Sequence, residues 1–220
     1  NMVFMEDEKG LLSLDEVLLS DNWTPSPIIG VTKGFTKSAL WLRFSVDNRL
    51  AKVFNWNLEF AYPLLDDIEF YRPNGDGSFS KSLLGDHQPF SKRQIHYRNV
   101  VIPITAKANQ TNTYFVRIKT TSSMNALLKA WPHNTFYQEV DSGKFILGLL
   151  YGVVLLALFT ALVNSFYLKD MMYLWLCLSF LVISLYLSGV KGITFQYLWP
   201  NSNWWSDTNI PFFVNFGYVA

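Results

Sequence analysis

FILGLLYGVVLLALFTALVNSFYL, residues 145–168, and MMYLWLCLSFLVISLYLSGV, residues 171–190, contain no Asp, Glu, Lys, Arg or His. At 1.5 Å rise per residue, roughly 20 apolar residues cross the hydrocarbon core of a bilayer, so runs of 24 and 20 residues both suffice. They are apolar all round, which distinguishes them from the one-sided face of a soluble core helix. Only Lys169 and Asp170 separate them, so the second helix must return antiparallel to the first as a transmembrane hairpin.

The flanks agree with a bilayer. Tyr167, Tyr173 and Trp175 sit near the turn, and Tyr186, Tyr197, Trp199, Trp204 and Trp205 near the opposite end, as two aromatic belts require. Gly148 and Gly152 form a GxxxG motif, which lets a neighbouring helix approach closely, in packing within the chain or in a homodimer. A third apolar run is expected from Ile210-Pro211, with Pro211 in the first turn; it stops at Ala220, which implies a longer multi-pass protein. Thr160, Asn164, Ser165, Ser179, Ser184 and Ser188 are the polar residues of the two spans, expected to bond between helices. Without an ionisable group in either span, there is no candidate for a proton or ion pathway, which disfavours a transporter.

The character of the chain changes before Lys144. Of 18 Lys plus Arg, all but Lys169 and Lys191 lie in positions 1–144, and of 17 Asp plus Glu, all but Asp170 and Asp207. The sequence divides into a nearly neutral soluble domain, 1–140, and a membrane part, 141–220, with helices at 145–168, 171–190 and from 210. The even charge leaves no basic stripe, so nucleic acid is excluded as a partner; membrane lipid is the partner that the apolar runs require. Cys177, the single cysteine, permits no intramolecular disulfide.

In the soluble domain the period is two. Leu40, Leu42, Phe44 and Val46 alternate with Trp41, Arg43, Ser45 and Asp47, and Phe54, Trp56, Leu58, Phe60 and Tyr62 with Asn55, Asn57 and Glu59. Further strands are expected at 67–72, 97–104, 113–121 and 125–131, separated by turn signals such as Pro73-Asn74-Gly75-Asp76-Gly77. The pattern reads as a mainly β domain, an antiparallel β-sandwich. One short helix is expected after Ser13, where Ser13 and Glu16 form a capping box.

With Leu40, Leu42 and Phe44 turned inward, Trp41 and Arg43 would protrude on the other sheet surface. Asn57, Glu59, Tyr71, Glu69, Arg117 and Lys119 from neighbouring strands would join them. Aromatic faces beside planar hydrogen-bonding groups suit a sugar, whose C–H patches stack on rings while its hydroxyls seek donors and acceptors. The competing reading places Trp41 in the core and pairs Arg43 with Asp86 or Glu59. Gly85, Asp86, Phe90 and Arg93 read as a structured loop, with Gly85 at positive φ and Asp86 capping the turn. His87, His96 and His133 lack metal-ligand spacing, so no metal or other cofactor is expected. Asp67 and Glu69 read as solvated strand carboxylates rather than a glycosidase pair. No GxSxG, HExxH, P-loop or GxGxxG occurs, so no enzyme class is indicated for this stretch of chain.

Several stretches together resemble the bacterial 7TM receptors with diverse intracellular signalling modules. They are Phe4-Met5-Glu6-Asp7, Leu14-Asp15-Glu16-Val17, Ala39-Leu40-Trp41-Leu42-Arg43-Phe44, Leu65-Asp66-Asp67-Ile68-Glu69-Phe70-Tyr71, Gly85-Asp86-His87-Gln88-Pro89-Phe90 with Arg93, and Tyr197-Leu198-Trp199-Pro200. The resemblance implies a periplasmic jelly roll similar to carbohydrate-binding modules, a carbohydrate ligand, and a 7TM module in the bacterial inner membrane. It also implies a cytoplasmic output such as a histidine kinase or diguanylate cyclase. Loop charge does not fix the orientation, since Lys169 and Lys191 balance; the resemblance puts the N-terminal domain outside. The alternative is a membrane-tethered carbohydrate-binding or envelope accessory module without signalling.

Overall fold

The computed structural model describes residues 2–26 and 30–219. It divides into two compact units, Asn1–His133 and Asn134–Ala220. Among the described residues the first contains eleven strands, one short α-helix and a 3-10 turn at Phe90–Lys92: β1 (Met2–Asp7), α1 (Leu14–Leu18), β2 (Thr24–Pro25), β3 (Val31–Phe35), β4 (Ala39–Asn48), β5 (Phe54–Phe60), β6 (Asp67–Pro73), β7 (Phe79–Leu84), β8 (Val100–Ala106), β9 (Gln110–Lys119), β10 (Ser123–Ala126) and β11 (Leu128–Pro132). The second contains α2 (His133–Leu168), whose first residue closes the first unit, then α3 (Met171–Val190), α4 (Ile193–Tyr197) and α5 (Asn203–Val219).

The strands form an antiparallel β-sandwich. One sheet has the order β2-β1-β4-β9-β6-β7, the other β11-β5-β8, and β10-β3 is a two-stranded flank. Successive strands swap sheets: β4 lies in the first, β5 in the second, β6 and β7 in the first, β8 in the second, β9 in the first. β9 thereby inserts between β4 and β6, pairing Leu42 with Val116 and Phe70 with Val116, while β5 pairs with β8. This crossing pattern is that of a jelly roll.

Strand periodicity builds the core. Leu40, Leu42 and Phe44 of β4, Trp56, Leu58 and Phe60 of β5, Ile68 and Phe70 of β6, Ile102 and Ile104 of β8, and Tyr114, Val116 and Ile118 of β9 converge in one buried cluster. Alternate side chains on a strand face opposite ways, so each strand sends every second residue into this layer. Phe44, Tyr114 and Phe70 stack in a row, with centroids 5.4 and 5.7 Å apart.

Four short strands, β1, β2, β3 and β7, escape the alternation because their inward residues are few or their length is small. The expected strand at 125–131 is two strands broken at Leu127. The capping box forms: Ser13 N donates to Glu16 Oε2 at 2.7 Å and Glu16 N donates to Ser13 Oγ at 3.4 Å. Gly85 has φ +117°, and a Cβ there would lie 2.0 Å from the Asp66 carbonyl oxygen.

The membrane part departs from the reading in three places. The first helix begins at His133, not Phe145, and its 36 residues reach about 54 Å. Its first twelve residues are too polar to register as an apolar run. The last helix begins at Asn203 rather than Ile210, so Pro211 stands inside it and not in its first turn. Proline there removes one hydrogen bond to the preceding turn; Asn209 Nδ2 donates to the Trp205 and Ser206 carbonyls at 2.7 and 2.6 Å in the same stretch. Ala220 lies outside the described residues. Gly148 and Gly152 are exposed and a Cβ on either would meet nothing within 4 Å, so they pack against no helix among the described residues. The close approach occurs at Gly189 instead, where a Cβ would meet Asn209 Oδ1 at 2.7 Å, joining α3 to α5. Thr160, Ser179 and Ser184 return their hydroxyls to carbonyls of their own helix, four residues back, and Ser188 also reaches the Tyr151 hydroxyl at 2.6 Å.

Gly85→Ala should destabilise the sandwich by about 2 kcal/mol or more, from positive-φ strain plus the clash with Asp66. Denaturant unfolding followed by tryptophan fluorescence measures it; an unchanged midpoint would show that the loop has no such constraint.

Candidate functional site

The outer surface of the six-stranded sheet was the expected ligand platform, and it is covered. Trp41 does point away from Leu40 and Leu42, but it is fully buried. It stacks on Tyr71 at 5.7 Å within a second cluster of Met5, Val17, Tyr71 and Phe115, with Leu12, Leu14, Trp23 and Phe79 packed around it. Helix α1 and the segment that follows form this roof, carrying Val17 and Trp23. Arg43 lies 4.4 Å from the Trp23 ring centroid, a cation–π contact, rather than paired with Asp86 or Glu59.

Register places Trp41 beside Arg117, and Arg117 beside Glu69. Arg117 Nη1 binds Glu69 Oε1 at 3.1 Å and Nη2 donates to the Gly10 carbonyl at 2.8 Å. The Tyr71 hydroxyl donates to Glu69 Oε2 at 2.5 Å, and Lys81 Nζ lies 2.9 Å from the same oxygen. Glu69 is therefore half-buried and engaged, not the solvated carboxylate that its strand position suggested. Burial pushes its pKa up, but the Tyr71 and Lys81 hydrogen bonds and the Arg117 charge outweigh this and hold it below the ordinary carboxylate value. Burial, then the Glu69 hydrogen bond, push the Tyr71 phenol up.

Asn57 and Glu59 do not join this group. The chain changes sheets between β4 and β5, so the two residues leave the sandwich from the opposite sheet. Glu59 is buried and accepts from Asn99 Nδ2 at 2.5 Å and Trp131 Nε1 at 2.6 Å. Asn57 is fully buried, and neither amide atom has a partner among the described residues.

Around Gly85 the geometry is that of a braced loop. Asp86 N donates to the Leu65 carbonyl at 3.0 Å and His87 N to the Asp66 carbonyl at 3.2 Å. Arg93 Nη1 donates to the Tyr97 and Arg98 carbonyls at 2.9 and 2.6 Å, and its guanidinium lies 4.8 Å from the buried Phe90 ring. Burial draws Arg93 down to about 10, against the raising influence of Asp86, so it stays cationic at neutral pH. Asp66, Asp86 and His87 bring ligand-type atoms within 4.8 Å of one another, a proximity that their sequence spacing hid. Asp66 is already engaged: Thr120 Oγ1 donates to one oxygen at 2.8 Å, and Thr121 N and Oγ1 to the other, each at 2.7 Å.

Among the described residues, two of the clefts in the sandwich are these. One, of about 500 Å³, is lined by Phe4, Glu6, Leu12, Glu16, Asn22 and Lys33 among others and is mixed in character. Lys33 Nζ pairs with Glu6 at 2.8 Å, which lowers the Glu6 pKa. The other, of about 490 Å³, lies where the ends of β4, β5, β8 and β11 meet; it is lined by Val46, Leu50, Phe54, Trp56, Trp131 and Pro132 among others and is largely apolar. Sequence alternation assigned Trp56 to the core and Trp131 to a strand end. Nothing local signals that the two share a cleft, since β5 and β11 are far apart in the chain and meet only by strand pairing, from Leu128 beside Phe60 to Pro132 beside Trp56.

Residues 1–132 match the family model described as 7TMR-DISM extracellular 2, and residues 143–220 match 7TM diverse intracellular signalling. The chain belongs to the 7TMR-DISM receptors. No curated protein matches it. As a member of this family it is a transmembrane sensory receptor, with an extracellular β-sandwich followed by helices long and apolar enough to cross a membrane. In this 7TMR-DISM receptor the sheet surface around Trp41 and Tyr71 is covered by α1 and Trp23.

The Glu69 cluster yields a pH signature. A carboxylate whose folded pKa is depressed stabilises the fold above its unfolded pKa, and that stability is lost as pH falls through the folded value. Glu69→Gln should therefore narrow the stability gap between pH 7 and pH 3 relative to wild type. Identical loss of stability in both proteins over that range would contradict the coupling of Glu69 to Tyr71, Lys81 and Arg117.

Proposed function

We propose that this chain is the sensing part of a signalling receptor of the bacterial inner membrane. Its sandwich binds a ligand in the periplasm and its multi-pass helices relay the event to a cytoplasmic output of the histidine kinase or diguanylate cyclase kind. The observation that carries the relay is continuity: β11 ends at Pro132, α2 begins at His133, and the same helix runs on through the apolar span to Leu168. The segment 136–144, between the sandwich and the apolar span, is helical. A helix keeps rotation and translation along its axis, whereas a flexible linker dissipates both. A ligand that binds one of two conformations better need supply only about 1 to 3 kcal/mol of coupling.

The ligand reading is a carbohydrate, in keeping with the jelly roll. The mixed cleft supports it. Glu6, Glu16 and Asn22 offer acceptors and a donor, Lys33 a cation, and Phe4 and Leu12 apolar surface for C–H patches. In this reading the role of the domain is recognition rather than catalysis.

Orientation follows from the hairpin. With the sandwich in the periplasm, the Lys169-Asp170 turn faces the cytoplasm. A fusion at Lys169 should therefore leave alkaline phosphatase inactive and β-galactosidase active, and active phosphatase there would overturn the relay. Titration with cellohexaose should show Glu6→Ala weakening glycan binding; equal binding by both proteins would remove the carbohydrate from that cleft.

A further inference from the structure

The mixed cleft lies beside more negative charge than its domain carries as a whole. Positions 1–144 are nearly balanced, with 16 basic and 15 acidic residues, but residues 6–21 hold Glu6, Asp7, Glu8, Asp15, Glu16 and Asp21 against Lys9 alone. The end of β1, helix α1 and the turns around them thus concentrate negative charge next to the cleft that Glu6 and Glu16 line. Such a local field raises the concentration of cations and lowers that of anions.

The two carboxylates of the cleft differ in what they hold. Glu6 pairs with Lys33 Nζ at 2.8 Å, and that nitrogen also lies 5.5 Å from the Phe4 ring centroid, so the one cation of the lining is engaged within it. Glu16 has no cation beside it among the described residues. Its Oε2 accepts from Ser13 N at 2.7 Å and from Ser13 Oγ at 2.8 Å. These bonds hold Glu16 below the ordinary carboxylate value, so it is anionic at neutral pH. Both fall on one oxygen, and Oε1 keeps its capacity to accept. Glu16, Asn22 and Thr24 are exposed, while Phe4 and Leu12 are half-buried.

We propose that this cleft selects an amino sugar with a free ammonium group, which donates to Glu16 Oε1 while the C–H face of the ring lies on Phe4 and Leu12. The proposal rests on the glycan reading of the same cleft and adds to it the charge of the ligand. A hydroxyl or an N-acetyl group in place of the ammonium brings no charge to Glu16 and forms the weaker hydrogen bond. Sugar acids are repelled by the field of the roof. Glu16 thus has two roles: one oxygen caps α1 and the other reads the ligand.

The test uses the whole chain in phosphatidylcholine nanodiscs at pH 6, where a sugar amine is protonated and the lipid has no net charge to attract it. The probes are the β-1,4-linked glucosamine hexamer, its fully N-acetylated form and cellohexaose, which share length and linkage and differ at C2. Calorimetry, corrected with empty nanodiscs, should find the glucosamine hexamer bound about tenfold more tightly than either neutral hexamer, the worth of one charge-assisted hydrogen bond at an exposed site. That advantage should shrink when salt is raised from about 0.05 to about 0.5 M, because the Debye length falls. Glu16→Gln keeps the capping box, which accepts Gln at that position, and should cut the advantage to about twofold or less. Lys33→Met releases Glu6 and should raise the advantage above that of wild type, a gain that a misfolded cleft does not produce.

An affinity for the glucosamine hexamer equal to or weaker than that for the neutral hexamers would overturn the amino-sugar proposal and leave the glycan reading standing. So would an advantage unchanged in Glu16→Gln or lowered in Lys33→Met. Binding of none of the three would overturn both.

Discussion

Strand β4 is buried on both faces, and the rest of the sandwich is arranged around that fact. Leu40, Leu42 and Phe44 enter the layer between the sheets, while Ala39 and Trp41 are just as inaccessible on the other side. Most antiparallel sheets expose one face to water. Here the roof of α1 and Trp23 closes that face, and the roof is itself pinned. The Asp7 carboxylate accepts from Gly10 N and Leu12 N at 2.8 and 2.9 Å, Arg117 binds the Gly10 carbonyl, and the capping box fixes the first turn of α1. Buried aromatic groups such as the Trp41–Tyr71 stack are among the largest single contributions to a core. The functional consequence is exclusion: a ligand that needs an aromatic platform does not find one on this sheet.

Clefts lie instead at the ends and edges of the sandwich. At the apolar cleft the chain passes from one sheet to the other between β4 and β5. The loop after β4 carries Arg49 and Leu50 across to Phe54, and it forms one wall of the apolar cleft while β11 forms another. β11 is also the last strand before α2. A change at Trp131 or Pro132 acts on residues covalently next to a helix, without a flexible segment between. The chemistry of that helix changes along its length. Glu139, Asp141 and Lys144 lie in its first third, and no charge follows until Lys169. One helix thus serves two solvents, and in the apolar stretch Thr160 returns its hydroxyl to the Leu156 carbonyl while the Tyr151 hydroxyl meets Ser188 of α3.

Much of this was legible because it is local. The two membrane runs, the alternation of β4 and β5, the capping box and the positive φ of Gly85 each follow from neighbouring residues, and all appear in the structure. The antiparallel sandwich followed from counting strands and turns. What was not legible is long-range. Asn57 was read onto the face of Trp41 because β5 follows β4, but the chain changes sheets there, and no residue in 49–53 announces it. Trp41 was open to both a ligand and a core reading because the segment that covers it, α1 through Trp23, lies some twenty residues or more earlier. Phe145 was taken as the start of the first helix because apolar composition reports the solvent, not the secondary structure; residues 133–144 are helical and polar. Gly148 and Gly152 carry a packing motif that meets no neighbouring helix among the described residues, while Gly189, in no recognised motif, makes the close contact.

The account rests most directly on α2 being one unbroken helix from the end of the sandwich into the membrane. Hydrogen exchange of the amides of residues 137–144, in the chain reconstituted in nanodiscs, measures this segment alone. These amides should exchange slowly and as a graded continuation of the protected span beyond Phe145, as a helix bonded from His133 onward requires. Exchange at the rate of an unstructured chain, with protection starting only at Phe145, would contradict the helical relay and return the sandwich to a domain on a loose tether.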